Sequence, residues 1–83
     1  MTVTYYVALP FIRAEDGTIV PGEATECRNT GAAILRAEIL SRIQSNVGAI
    51  AFSRTGDPDM GKFEDAVVLK RFGDVPSDMT MLF

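Results

Sequence analysis

Only one segment of this chain repeats its apolar residues at helical spacing, and the segments flanking it are too continuously apolar to be strands with one wet face. In residues 29–48, NTGAAILRAEILSRIQSNVG, steps of about 100° per residue place Ala32, Leu35, Ile39, Leu40, Ile43 and Val47 within one arc. Glu38, Ser41, Arg42 and Ser45 fall opposite, with Glu38 and Arg42 spaced to pair at i, i+4. Asn29 or Thr30 can cap the first turn, and Gly48 suits a left-handed exit. Two residues break the pattern. Arg36 falls inside the apolar arc, its stem expected along the core with its charge carried to the edge, and Ile34 falls on the polar side.

Before this helix, TYYVALPFI over residues 4–12 is rich in β-branched and aromatic types and reads as a strand. Asp16-Gly17 is a hairpin signal, and the return strand runs from Thr18 to Cys27 with a bulge or break at Pro21-Gly22. Pro10 has no amide hydrogen, which calls for an edge position or an irregularity in the first strand. After the helix come AIAFSR and FEDAVVLKRF as third and fourth strands, and Pro76 closes the last of them. The expected fold is α+β: two β-hairpins joined by one helix (β-β-α-β-β), the helix packed on a four-stranded, mainly antiparallel sheet. The 83 residues form a single domain, with residues 74–83 as an acidic and apolar C-terminal tail.

The strands hold more apolar surface than that plan shelters. Tyr5, Val7, Leu9 and Phe11 face one way, yet Tyr6, Ala8 and Ile12 face the other; residues 49–52 and 66–69 do not alternate at all. Four strands about 4.8 Å apart make a sheet roughly 19 Å wide, whereas one helix covers about 10 Å. One face is then half covered and the other bare. A second copy packed on the bare face, as a two-fold homodimer, is the expected solution; the tail folding under the sheet or another protein are the alternatives.

Composition excludes several classes. Residues 1–56 hold five acids and five bases, while residues 57–83 hold six acids against Lys62, Lys70 and Arg71, for a net charge of −3. A neutral body with an acidic final third does not suit a phosphate backbone, so nucleic acid is not an expected partner. No apolar run approaches the ~20 residues that span a bilayer. Cys27 is the only cysteine, so no intrachain disulfide forms, and a reducing, cytoplasmic setting is expected; the apolar N-terminal run reads as strand and not as a signal peptide. The absence of histidine removes Ser-His and Cys-His pairs, and with one cysteine it leaves no usual zinc set. No catalytic residue, metal or cofactor is expected.

The densest cluster of turn formers and charges is SRTGDPDMGKFED, residues 53–65. A calcium reading would use Asp57, Asp59 and Glu64 or Asp65, but the EF-hand pattern needs a ligand where Gly61 sits and glycine where Lys62 sits. An anion reading would use Arg54, Lys62 and amides beside Gly56 and Gly61, with Arg13 as a further cation; Asp57 and Asp59 oppose it. The reading with most behind it is a hairpin connection: Pro58 suits the second turn position, Asp57 accepts amide hydrogens before it, and Gly61 tolerates positive φ. Glu64 and Asp65 are adjacent on a strand and point to opposite faces. Cys27, with only Arg28 beside it as a cation, is expected to be inert.

The segment from AFSRTGDP to RFGDVP, with the initial YYV strand and the central helix, resembles a group of small bacterial proteins with no assigned activity; the likeness implies a compact stand-alone domain and marks Arg54, Gly56, Asp57 and Pro58 as positions to test. The first 45 residues also resemble antitoxins of the HicB kind, where a hairpin with Asp-Gly precedes a helix; that family has a third strand before the helix, absent from this reading. The expected function is a small non-catalytic, self-associating binding or regulatory module. The alternatives are a small-anion binder or minor enzyme using Arg13, Arg54 and Lys62, and an antitoxin-like partner-binding protein.

Overall fold

A computed structural model describes residues 1–76 of the chain. Its elements are β1 (Val3–Arg13), β2 (Ile19–Pro21), β3 (Thr25–Cys27), α1 (Thr30–Ser41), β4 (Gly48–Asp57), β5 (Lys62–Phe63) and β6 (Val67–Gly73). All the strands join one antiparallel sheet, curled into a half-barrel, with α1 packed on it. β1 and β4 lie at the centre. β2 and β3 pair successive stretches of β1, and β5 and β6 pair successive stretches of β4. The four-position antiparallel layer under one helix is therefore present, with each outer position split in two and the order β-β-β-α-β-β.

The split on the β1 side has a covalent cause. Pro10 sits in a central strand, not at an edge, and its carbonyl accepts from Gly22 N at 2.8 Å, so its backbone polar groups point toward β2 and β3. The amide hydrogen that proline lacks would have to serve that same side. The outer strand lapses there, between Pro21 and Thr25, and no ladder bond is left waiting for a donor. The first turn is fixed locally: Asp16 Oδ1 accepts from Thr18 N at 3.0 Å and Thr18 Oγ1 at 2.7 Å, and Arg13 Nη1 donates to Gly17 O at 2.9 Å. The Thr18 hydroxyl, then the Thr18 amide, hold the Asp16 carboxyl below its ordinary value of 3.8.

Helix α1 starts where expected, with Asn29 Oδ1 accepting from Ala32 N at 2.8 Å, and the Glu38–Arg42 pair closes at 2.7 Å. Its orientation differs from the expected one. Ala33 and Ala37 are fully buried, and Ile34 and Leu40 pack beside them against Ala8, Ala49, Ala51, Tyr6, Cys27, Leu69 and Phe72. Leu35, Ile39 and Ile43 point outward, 59%, 45% and 46% exposed, and Arg36 is exposed with them. The reason is steric. The sheet offers alanines on this face, and alanines opposite them bring the helix backbone close, where leucine and isoleucine would hold it away. The helix also ends at Ser41, so Gly48 is not its exit. A Cβ on Gly48 would run into the backbone of Asp74 and lie 2.7 Å from the Phe72 carbonyl.

The other face carries the large side chains. Leu9, Phe11, Ile50 and Phe52 are 0–6% exposed and pack with Val7, Ile19, Val47, Ala66, Val68 and Val75. The part of the expected bare face around these four residues is thus covered within one chain, as the curl brings residues of the outer strands and loops over it. A register irregularity between Ala51 and Phe52, opposite the step from Val68 to Lys70, adds to that curl.

Two outcomes follow. Gly48→Ala is expected to lower unfolding free energy by about 2 kcal/mol or more in urea titration, because the methyl meets backbone that cannot rotate away. Asp16, depressed when folded, stabilises the fold above its unfolded pKa, and that contribution is lost as pH falls through the folded value. Asp16→Asn should therefore flatten the acid limb of the stability curve below about pH 4 and leave it unchanged in shape near neutrality.

Candidate functional site

β4 continues through Asp57 into the cluster of turn formers, and β5 returns from Lys62. Between them Asp57 Oδ1 accepts from Asp59 N at 3.0 Å and Met60 N at 3.4 Å, Asp57 O accepts from Met60 N at 3.1 Å, and Gly61 has φ +67°. These are the bonds of a turn, and they use the carboxylate that a cation or an acid–base role would need. Among the described residues no group of three or more Cys, Asp or Glu is gathered as a metal site.

The register decides which of the expected site residues meet. Gly56 pairs Phe63 and Asp57 pairs Lys62, so Arg54, Gly56 and Phe63 belong to the helix-free face while Asp57 and Lys62 belong to the other. Arg54 and Lys62 do not converge. Arg13 is farther still: Arg54 pairs Tyr5, and Arg13 lies eight residues along β1, about 26 Å away at strand rise.

What the register does assemble is a cleft of about 240 Å³ on the helix-free face, lined by Tyr5, Val7, Phe52, Arg54 and Phe63. The Arg54 guanidinium lies 5.2 Å from the centre of the Phe63 ring, and its Nε donates to Glu64 O at 3.2 Å. The Tyr5 and Phe63 rings are 6.2 Å apart at 40°. Phe63 lies flat across Gly56, its Cγ 2.7 Å from where a Cβ would stand. Gly56 thus gives the ring its seat. Of the expected site residues only Arg54 lines this cleft, and Gly56 supports it. Tyr5, Val7, Phe52 and Phe63 were not singled out from sequence, although a turn centred on Pro58–Gly61 necessarily sets Phe63 across from Gly56. A glycine opposite an aromatic residue is a recognisable signal of such covering.

The cleft is apolar with one cation and the Tyr5 phenol at its wall. Among the described residues no carboxylate, serine or cysteine lines it. Cys27 lies elsewhere, packed against the alanine cluster with its Sγ 3.6 Å from Thr25 O. No family model, no curated protein and no solved structure matches the chain. The likenesses to small bacterial proteins and to HicB-type antitoxins gain no support from those comparisons.

Gly56→Ala is expected to dislodge the Phe63 ring and cost about 1–3 kcal/mol in chemical denaturation, with the Tyr5 and Phe63 ring resonances shifting together. Unchanged ring shifts and stability would show that the ring has another seat.

Proposed function

We propose that the chain is a small non-catalytic binding module that self-associates. The observation that carries this reading is the outward side of α1 and its exit turn: Leu35 and Ile39 lie at i, i+4 on the helix, Ile43 follows two residues past its end, and each keeps roughly half its surface in water. Isolated exposed apolar residues are normal, but two on the outer side of a helix with a third in its exit turn form the kind of patch that partners cover. Completing the burial of three such side chains contributes about 1 kcal/mol each, enough to favour weak pairing with a like surface. Arg36 and Arg42 lie beside the ridge and Glu38 flanks it, a charged rim around an apolar centre.

The dimer expected through a bare sheet face is proposed through this ridge instead, because Leu9, Phe11, Ile50 and Phe52 of that face are buried. The small-anion alternative draws no support from the geometry, because its three cations lie on different faces and ends. The antitoxin-like alternative is favoured by one observation: the break at Pro21–Gly22 creates a third strand before the helix. That is a likeness of order alone, and a role cannot be taken from it.

Sedimentation velocity across a wide concentration range should show a reversible monomer–dimer equilibrium. The variant Leu35→Glu/Ile39→Glu should sediment as a monomer with an unchanged circular dichroism spectrum. A parent chain that stays monomeric at the highest concentration removes the reading.

A further inference from the structure

We infer that two copies of the chain pair antiparallel through α1 and its exit turn, about a two-fold axis at the level of Leu40, so that Glu38 of each copy stands beside the partner's Arg42. This rests on the self-association proposed above and adds the direction of the pairing and the charges that set it.

The outer side of α1 has a fixed order of groups. Leu35 and Ile39, both exposed, stand about 40° apart around the helix axis. At about 100° per residue, Glu38 and Arg42 fall to one side of Ile39 and Arg36 to the other. Arg42 is the C-cap residue, yet its φ of −88° and ψ of −8° keep the helical turn, and its Nη2 donates to Glu38 Oε1 at 2.7 Å. The two charges therefore project from the same side, one turn apart. The Arg42 side chain is still 76% exposed in that pair, which leaves guanidinium donors for a second carboxylate.

A strip that reads acid, then base, over one turn is complementary to its own reverse. A second copy supplies that reverse without any further requirement, whereas another protein would have to carry it independently. In an antiparallel pair the axis lies at right angles to both helices and brings like sides together. With the axis level with Leu40, the partner's Arg42 stands level with Glu38, and Ile39 lies within about 3 Å of its own copy along the helix direction. The apolar groups of the two outer sides thus meet beside a strip of two acids and two bases. Arg36 falls on the opposite side, about 12 Å along the helices from its copy.

A parallel pair brings unlike sides together. Each side would hold Glu38 and Arg42 of one copy with the partner's Arg36, two bases against one acid. The antiparallel pair balances Glu38 and Arg42 instead. Because the outer side of α1 faces away from its own core, the two sheets end up on the outside of the pair, clear of one another. The area brought together is small, the C-terminal half of one helix and its turn. That fits a reversible dimer held by its apolar centre, with the charged strip fixing direction more than strength.

The test compares two charge-inverted full chains, Glu38→Arg and Arg42→Glu, with the parent by sedimentation velocity. A homodimer of either variant would hold like charges only along the strip, so each should dissociate several-fold more readily than the parent while keeping its circular dichroism spectrum. An equal mixture should regain the parent's dimer fraction as a heterodimer, since the strip then sets bases of one chain against acids of the other. Both variants lose the bond between residues 38 and 42 within one helix, so comparing the mixture with the separate chains isolates the bonds between copies. A parent that dimerises, with the mixture no better paired than the separate variants, overturns this inference and leaves self-association standing. Variants that each pair as well as the parent do the same. A parent that stays monomeric overturns both.

Discussion

The pairing of β1 with β4 is the constraint on which the rest depends. Their register runs unbroken from Val3 opposite Gly56 to Phe11 opposite Gly48, and the buried sheet residues of both core clusters come from these two strands. Because side chains alternate, the one ladder sorts Ala8, Ala49 and Ala51 to the helix side and Leu9, Phe11, Ile50 and Phe52 to the other. A slip of one residue would send phenylalanines under the helix and alanines to the opposite face, so both layers specify the same register. The partners are 45 residues apart at each core pair or nearer, and the helix is the connection that closes this loop across the alanine side.

The sorting by size explains why α1 sits as it does. Helix position is set by how closely two backbones can approach, and alanine against alanine is the closest approach available without glycine. Ala33 and Ala37 are therefore the residues that meet the sheet, with Ile34 and Leu40 as shoulders. Turning the larger arc inward would bury more apolar area but would lift the helix off Ala8, Ala49 and Ala51 and leave voids beside them. Packing density decides against area, and the surplus aliphatic residues are left at the surface.

This is also where the sequence was hardest to read. The strands, the Asp16-Gly17 and Pro58 turns, the Asn29 cap and the break at Pro21-Gly22 are local, and each follows from the chemistry of the residues present. Which arc of the helix turns inward is not local, because it depends on the residue sizes it will meet. Alanine counts little on any hydrophobicity scale, so the arc of Leu35, Ile39 and Ile43 outweighed Ala33 and Ala37 until the alanines of β1 and β4 were placed across from them. Counting covered width failed in the same way. A flat sheet would have left one face bare, but the half-barrel curl lets Ile19, Ala66 and Val75 reach the residues that a flat layer would expose. Of the site, Arg54 and Gly56 were legible as oddities of a loop. Their partners Tyr5 and Phe52 became visible only when β1 was laid beside β4.

Growth of the sheet at its edges is a third route to association, and the chain blunts it. On one side the outer position is broken into two three-residue strands around Pro21 and Gly22. On the other, β6 carries Lys70 and Arg71 next to the register irregularity, and charges on a kinked edge disfavour an added strand. With the edges guarded and Leu9, Phe11, Ile50 and Phe52 buried, the α1 ridge and the Tyr5–Phe63 cleft are two apolar surfaces of the described residues. They lie on opposite sides of the sheet and differ in kind. A convex ridge of aliphatic residues is met by a broad surface, such as another helix, whereas a cleft of about 240 Å³ takes a few side chains from an extended strand of chain. The first suits another folded protein and the second a short segment, so one small domain can hold both without either surface competing with the other.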